Sequence, residues 1–351
     1  MHHPPKGHLD TTFGGGDGMV VTGIPNLGVG AFGLAIVSGG KIVVGGETFD
    51  PNGVRSDDLA LIRYLPGGQL DTTFGGGDGK VTVDLFGGTD IFEEMTVDGN
   101  GRAVIVTETE KNGDFVPALV RFEQNGSLDH SFSGDGAFVV PVPGTNSFME
   151  TVTTLGGGKI VVGGEAVPQG GPDEDFLLMR VNAGGGVDTS FGTAGHVFTD
   201  FDNGADIADA LRVDASGRIV AGGQATVGGE AELAVARYTG AGHRDTSFSG
   251  DGRVATDVGG FDRVFGLAIR SGKIVAVGRS DTDGGNERWV VARYGSGGAL
   301  DAGFGTDGRT ITNFSTGPSE EEATGVVIES GGRIVASGFT HNHPALAGYV
   351  G

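Results

Sequence analysis

The ten residues LDTTFGGGDG at Leu9–Gly18 decide the fold, because they return unchanged at Leu70–Gly79. Four further copies differ from them at a few positions: LDHSFSGDG from Leu128, VDTSFGTAG from Val187, RDTSFSGDG from Arg244 and LDAGFGTDG from Leu300. The phenylalanines of successive copies are 61, 58, 59, 57 and 56 residues apart. Six near-equal units therefore fill almost the whole chain, and a repeat of this period indicates a repeat architecture.

Each unit carries two further markers. One is a glycine turn followed by a cation and an apolar run, such as GGKIVVGG from Gly39, and the other is an apolar stretch with an arginine, such as LALIRY ending at Tyr64. Between the markers, runs of β-branched residues alternate with Gly, Asp and Asn, which predicts four short strands per unit. In the second unit we expect strands a, b, c and d at Lys80–Asp84, Ile91–Val97, Arg102–Thr107 and Val116–Phe122.

Four strands in a unit of this length match one blade of a β-propeller. The sequence therefore predicts an all-β, six-bladed β-propeller with four antiparallel strands per blade, preceded by a tail of residues 1–8. The propeller is expected to form a single domain, residues 9–351, with blades at about 9–69, 70–127, 128–186, 187–243, 244–299 and 300–351. We also expect the first and last units to meet, because a closed ring leaves no exposed sheet edge.

Composition narrows the classes of partner. The net charge of -22 repels phosphate backbones and anionic membrane surfaces, so neither nucleic acid nor a membrane is an expected partner. The chain has no cysteine, which excludes disulfides, thiolate metal sites and a cysteine nucleophile. The start, MHHPPKGHLD, lacks a positive region followed by an apolar one, so we expect no signal peptide in the chain as given.

The repeated unit resembles that of the delta-60 repeat family of bacterial proteins. The resemblance rests on the LDTSF-type motif, the GGKIVVGG-type run and the LARY-type strand, and extends from Leu9 to Val350. It implies a propeller-like fold and a location outside the cell or in the cell envelope. It brings no catalytic residue with it.

An arginine in strand d stands eight residues before the motif aspartate in five units. We expect each pair to form a charge-assisted hydrogen bond that holds the connection between blades, with the motif phenylalanine as a plug between neighbouring blades. The pairs are Arg63 and Asp71, Arg121 and Asp129, Arg180 and Asp188, Arg237 and Asp245, and Arg293 and Asp301. The cations that follow the b–c turn, such as Lys41, are interpreted as solubilising residues, with a positive ring as the alternative.

The a–b and c–d loops differ strongly between copies, and alternating strand directions place both kinds of loop on one face, the predicted functional face. At the end of strand a stand Asp84, Asp200, Asp257 and Asn313, which we expect to converge at the channel mouth. Asp202 and Asp206 follow in the loop that begins at Asp200. Calcium prefers such oxygen ligands, so these six residues are candidate metal ligands, with a solvated acidic rim as the alternative.

Most repeated polar residues have a structural explanation, and no catalytic set is recognisable. We therefore expect a non-enzymatic binding or scaffold module, secreted or associated with the envelope, that presents its variable loops to a protein or glycan. A calcium-dependent hydrolase or lyase with its site at the channel mouth is one alternative, and a self-assembling structural subunit is another. The sequence leaves the ligand and the oligomeric state open.

Overall fold

The computed structural model describes residues 9–53, 56–281, 286–314, 320–341 and 343–351, so the expected tail of residues 1–8 lies outside it. The described residues form 23 strands, and their helical segments are two 3-10 turns of three residues each. No helix in this part of the chain is long and apolar enough to cross a membrane.

The strands form six antiparallel sheets, which confirms the predicted six-bladed β-propeller. Each of the first five sheets has four strands, and the sixth has three among the described residues. A sheet takes strands b, c and d from one sequence unit, while its fourth strand is strand a of the following unit. The sheets are therefore one strand out of phase with the sequence units that begin at the LDTTF motif.

The chain divides into two compact units, and the smaller comprises the residues up to Pro141 together with Ala183–Gly186. Its first sheet contains β1 (Gly28–Val37), β2 (Lys41–Phe49), β3 (Asp58–Tyr64) and β4 (Lys80–Val83). Its second contains β5 (Asp90–Val97), β6 (Ala103–Lys111), β7 (Asp114–Phe122) and β8 (Ala137–Val139). The two sheets share an apolar core in which Phe74 packs with Leu61 and Phe92, so this motif phenylalanine is the predicted plug.

The larger unit comprises Val142–Asn182 and Val187–Gly351 and contains four sheets. The third sheet contains β9 (Thr145–Leu155), β10 (Lys159–Val167), β11 (Asp175–Val181) and β12 (His196–Thr199). The fourth contains β13 (Asp206–Val213), β14 (Ile219–Val227), β15 (Glu230–Tyr238) and β16 (Arg253–Thr256). The fifth contains β17 (Asp262–Arg270), β18 (Lys273–Asp281), β19 (Glu287–Tyr294) and β20 (Arg309–Thr312). The sixth contains β21 (Glu321–Ile328), β22 (Ile334–Thr340) and β23 (His343–Tyr349).

Within the larger unit, the first strand of each sheet contacts the first strand of the next, as β9 contacts β13 and β13 contacts β17. The fourth strand lies at the opposite edge of its sheet. Phe191, Phe248 and Phe304 are buried in the cores between successive sheets, as the sequence predicts.

Each sheet has two kinds of end. We call the loop face the end that carries the connection between the second and third strands and the connection from the fourth strand to the next sheet. The other end, here called the turn face, carries the tight turns and the LDTTF motifs. This agrees with the prediction that both variable loops share one end of the blade.

All five predicted arginine–aspartate bonds are present. The distances from arginine Nε to aspartate Oδ2 are 2.7 Å for Arg63 and Asp71, 2.6 Å for Arg121 and Asp129, 2.9 Å for Arg180 and Asp188, 2.8 Å for Arg237 and Asp245, and 2.9 Å for Arg293 and Asp301. Each guanidinium also stacks on the motif phenylalanine, with the Arg180 carbon 4.8 Å from the Phe191 ring centre. Arginine, aspartate and phenylalanine therefore form one repeated structural cluster.

The cluster differs from the expectation in its connectivity. Arg180 and Asp188 belong to one sheet, because Asp188 lies in the connection from β11 to β12. The bond between sheets comes from the guanidinium itself, since Arg237 Nη1 donates to the Ser296 carbonyl 2.6 Å away in the following sheet. Arginine is suited to both contacts at once because its donors form a rigid fork.

The cations after the b–c turn also belong to this cluster and are not merely solubilising. In the first five units the cation donates to the same Oδ2 as the arginine: Lys41 to Asp71 at 2.8 Å, Arg102 to Asp129 at 2.9 Å, Lys159 to Asp188 at 2.7 Å, Arg218 to Asp245 at 3.5 Å and Lys273 to Asp301 at 2.7 Å. The sixth cation, Arg333, pairs with Glu329 instead. Hydrogen bonds from Lys159, Ser190 and Arg180 hold the pKa of Asp188 well below its usual range. Burial opposes ionisation of Asp129, but bonds from Ser131 and Arg121 outweigh it and lower the pKa of Asp129 to about 2.

Candidate functional site

Three aspartates meet at the loop face of the smaller unit. Asp58 begins β3, Asp84 follows the last residue of β4, and Asp90 begins β5 of the next sheet. One carboxylate oxygen from each lies within 4.8 Å of the other two. Asp90 is fully buried, whereas Asp84 is exposed, so the cluster opens from a buried floor to solvent.

The larger unit repeats this arrangement. Asp175 begins β11, Asp200 follows β12, and Asp206 begins β13, again with one oxygen of each within 4.8 Å of the others. The connection is folded by its own aspartates, because Asp206 Oδ2 accepts from Phe201 N at 2.7 Å and Asp200 Oδ1 accepts from Asn203 N at 2.6 Å. The same loop design therefore builds both clusters.

Burial and the neighbouring charges raise the pKa of the buried aspartate in each cluster. Burial, reinforced by the charges of Asp84 and Asp58, raises the pKa of Asp90 to about 6. Burial, with Asp200 and Asp175 nearby, raises the pKa of Asp206 to about 7. Like charges held together at low dielectric are costly unless a proton or a cation neutralises them.

A third set occupies the equivalent positions of the fourth sheet, with Glu232 in β15, Asp257 after β16 and Asp262 at the start of β17. Burial, followed by the charges of Asp257 and Asp262, raises the pKa of Glu232. Asp262 is fully buried, and its Oδ1 has no hydrogen-bond partner among the described residues. Its Oδ2 accepts from Val258 N at 2.7 Å.

Of the predicted ligands, Asp84 lies in the cluster of the smaller unit, and Asp200 and Asp206 lie in the cluster of the larger unit. In the larger unit, Asp200 and Asp257 follow the fourth strands of their sheets, whereas the strands that contact one another from sheet to sheet are the first ones. The prediction of convergence assumed that strand a lies innermost, and this is why it is wrong for these two residues.

Asn313 follows β20 and is exposed. Asp202 accepts from Gly228 N at 3.2 Å and lies outside the cluster of Asp200 and Asp206.

Sequence reasoning missed the third member of each cluster. Asp58, Asp175 and Glu232 each stand five residues before the strand-d arginine. The other two units with a strand-d arginine have Val116 and Arg288 at this position. An acid therefore occurs at this position only where the strand a that follows it ends in aspartate. This coincidence of two positions is a signal that the sequence does contain.

A second polar group lies on the first strands of the sheets. Each of these six strands has a β-bulge at the same position, and the extra residues are Phe32, Glu93, Glu150, Asp209, Phe265 and Thr324. In the larger unit, Arg263 Nε donates to Asp209 Oδ2 at 3.0 Å and Nη2 donates to Glu150 Oε2 at 3.3 Å. Burial and the neighbouring Glu150 raise the pKa of Asp209 well above its usual range, although Arg263 opposes the shift. Bulges of this kind re-aim side chains near functional sites.

The repeat pattern described as "Domain of unknown function (DUF5122) beta-propeller" matches residues 40–74, 99–132, 158–191, 215–248 and 270–304. Each match runs from the turn before strand c to the motif phenylalanine. The chain is a β-propeller repeat protein. No curated protein matches the propeller.

Solved structures resemble the propeller only distantly. A protein of unknown function from Bacteroides caccae is 9% identical, with a TM-score of 0.42 over 77% of this chain and 80% of that one. Sqt1 from Chaetomium thermophilum is 9% identical, with a TM-score of 0.41 over 88% and 67%. An endo-arabinase from Bacteroides thetaiotaomicron is 12% identical, with a TM-score of 0.36 over 73% and 91%. Likenesses this weak carry no argument about function.

Proposed function

We propose that the propeller is a non-enzymatic binding module whose loop face binds calcium and presents its a–b and c–d loops to a glycan or protein. The observation that carries the proposal is the pair of three-aspartate clusters on that face. The charged residues that recur on the turn face, in contrast, belong to the repeated arginine–aspartate–phenylalanine clusters. The chemistry that varies between blades is therefore concentrated on the loop face.

The clusters fit calcium in ligand type and spacing. Calcium takes six to eight oxygens at roughly 2.4 Å, so oxygens around one ion lie up to about 5 Å apart. The oxygens of Asp175, Asp200 and Asp206 lie within 4.8 Å of one another, which meets this condition. An ion held there by three carboxylates keeps coordination positions for water or for the hydroxyl groups of a sugar.

The proposed setting follows from charge and family resemblance. A chain of net charge -22 suits the millimolar calcium found outside cells better than the much lower level inside. The likeness of the repeated unit to delta-60 repeat proteins supports the same location, secreted or in the cell envelope.

A glycan array probed in millimolar calcium and again in EDTA tests the binding function. We expect binding of a restricted glycan class in calcium, its loss in EDTA, and weaker binding by Asp84→Asn and Asp200→Asn. Asparagine keeps an acceptor oxygen for Gly87 N and Asn203 N, so both loops should stay folded. An array without specific signal in calcium, together with an unchanged profile for both variants, would contradict recognition of glycans by this face.

A hydrolase is the second candidate, because Asp209 has a raised pKa beside Glu150. A protonated carboxyl next to a second carboxylate is the arrangement used in general acid–base catalysis. In this case Asp209 donates the proton, Glu150 accepts one, and Arg263 orients both. This pair lies on the first strands of the larger unit, whereas the sequence offered Asp84, Asp200, Asp257 and Asn313 as calcium ligands of a hydrolase and no catalytic residue.

Chromogenic glycosides and esters distinguish the two candidates. An enzyme requires turnover by the parent chain that falls at least about a hundredfold in Asp209→Asn, the usual size of a general acid contribution. The binding module requires no turnover above the level of the variant. The same Asp209→Asn variant should retain calcium-dependent binding in both cases, because Asp209 is not part of a loop-face cluster.

A further inference from the structure

A groove of about 500 Å³ opens at the turn face of the larger unit, between residues 192–198 and residues 242–244. The two turns are joined directly, because Gly192 N donates to the Ala241 carbonyl at 2.8 Å. Gly242 has a φ of +85°, and a Cβ there would come within 2.8 Å of Gly192 N. Glycine therefore allows the two turns to approach closely enough to form the groove.

Three side chains that are cationic or can donate hydrogen bonds line this groove. His196 comes from the first turn and packs edge-on against Phe198, with 5.5 Å between ring centres. His243 and Arg244 come from the second turn and are exposed. Backbone bonds fix both turns, since Thr193 N donates to the His196 carbonyl at 2.9 Å and Thr239 N to the His243 carbonyl at 2.8 Å.

No carboxylate among the described residues forms an ion pair with Arg244, although the chain has 45 acidic residues. The neighbouring Asp245 is engaged by Arg237 at 2.8 Å and Arg218 at 3.5 Å. The acidic group closest in sequence is therefore already neutralised by other cations. Arg244 keeps its donors for a ligand in the groove.

The residues of the groove depart from the repeat. At the position of Arg244 the other units have an apolar residue: Leu9, Leu70, Leu128, Val187 and Leu300. At the position of His243 they have His8, Gln69, Ser127, Gly186 and Ala299, so the first unit also has a histidine there. Arg244 is thus the one residue of this junction that differs in character from every other copy, and a charged side chain at an apolar position of the repeat requires an explanation other than the fold.

We propose that this groove is an oxyanion site that binds a phosphate group, either free or carried by a sugar. A guanidinium presents paired N–H donors that match two oxygens of a phosphate, and the exposed imidazole of His243 can donate to a third. Phe198 offers an apolar surface on which the carbon face of a sugar can rest. The site is separate from the acidic clusters, because His196 begins β12 and Asp200 follows the other end of that strand, roughly 13 Å away.

Titration calorimetry with inorganic phosphate and with a hexose phosphate, at fixed ionic strength, tests the site. The informative variant is Arg244→Leu, since leucine is the residue that the repeat places there and the fold should tolerate it. Arg309→Leu is the matched control, because Arg309 begins β20 as His196 begins β12 and its loss changes the net charge equally. Thermal melting confirms that both variants are folded.

We expect saturable binding by the parent chain, a loss of about tenfold or more in Arg244→Leu, and no change in Arg309→Leu. Tighter binding of the hexose phosphate assigns the site to a phosphate ester, and equal affinity assigns it to the phosphate group alone. The absence of saturable binding of either probe overturns the proposal. Equal losses in the two variants also overturn it, because they would indicate only a general charge effect.

Discussion

Replacing Asp206 by asparagine removes a buried charge while keeping its shape and an acceptor oxygen for Phe201 N. In EDTA at pH 7.5 most of Asp206 is ionised in the folded chain, because its pKa is about 7. The unfolded chain ionises the same group at its ordinary pKa near 4. We therefore expect Asp206→Asn to be more stable than the parent chain when no cation is present.

The size of this gain in stability follows from the shift in the pKa of Asp206. Three pKa units correspond to roughly 4 kcal/mol. This is an upper bound because the asparagine NH2 replaces Oδ1, which accepts from Thr226 N at 3.2 Å in the parent chain, so that hydrogen bond is lost. A net gain of about 1–3 kcal/mol raises the Tm by roughly 1–4 °C in a chain of this length. The gain should shrink toward pH 5, where the folded parent chain holds a proton on Asp206.

Thermal melts in EDTA at pH 7.5, 5 and 4 measure this effect, with Asp114→Asn as the control at an exposed position. The control should melt as the parent chain does at pH 7.5. A variant that is less stable than the parent chain by the same amount at every pH would refute the reasoning, because it would mean that the hydrogen bonds of Asp206 outweigh the cost of its charge.

Three further outcomes are expected. In EDTA the Tm of the parent chain should be highest near pH 4–5. Asp90 has a pKa of about 6 in the folded chain, above its ordinary value in the unfolded chain, so raising the pH toward 7 removes its proton and lowers the stability of the folded chain. Below pH 4 the Tm should fall again, because Asp129 has a pKa of about 2 in the folded chain and loses its ion pairs as it is protonated. Thermal melts from pH 2 to 8 measure the fall of the Tm on both sides of its maximum. Arg180→Ala should lower stability by about 1–3 kcal/mol in urea unfolding, while Arg270→Ala, at an exposed position, should change it little.

The fold is predictable because the same pattern of strands and turns occurs six times in the sequence. The expected strands of the second unit, for example, appear at Lys80–Val83, Asp90–Val97, Ala103–Lys111 and Asp114–Phe122. The Arg180–Asp188 pair is predictable for the same reason, since a fixed spacing repeated in five units restricts the geometry. Contact between the first and last units stays a prediction.

The candidate site is less predictable because it depends on which strand lies at which edge of a sheet. Sequence periodicity gives strands and their order but not whether strand a is the first or the fourth strand of a sheet. Because strand a is the fourth strand of its sheet and not the first, Asp200 lies in a cluster with Asp175 and Asp206 and not at a shared channel mouth. The bulge that presents Asp209 is likewise not predicted, because its trace in the sequence is only a break in the alternation of β13, where Ala210 and Leu211 are both buried.

Calcium titration calorimetry at pH 7.5 tests the loop-face clusters most directly. The parent chain should bind at least two ions, and the double variant Asp84→Asn/Asp200→Asn should lose two, since each substitution removes a carboxylate from one cluster. Asp114→Asn should bind as the parent chain does. An absence of calcium binding by the parent chain, or an unchanged number of ions in the double variant, would contradict the assignment of these clusters as metal sites.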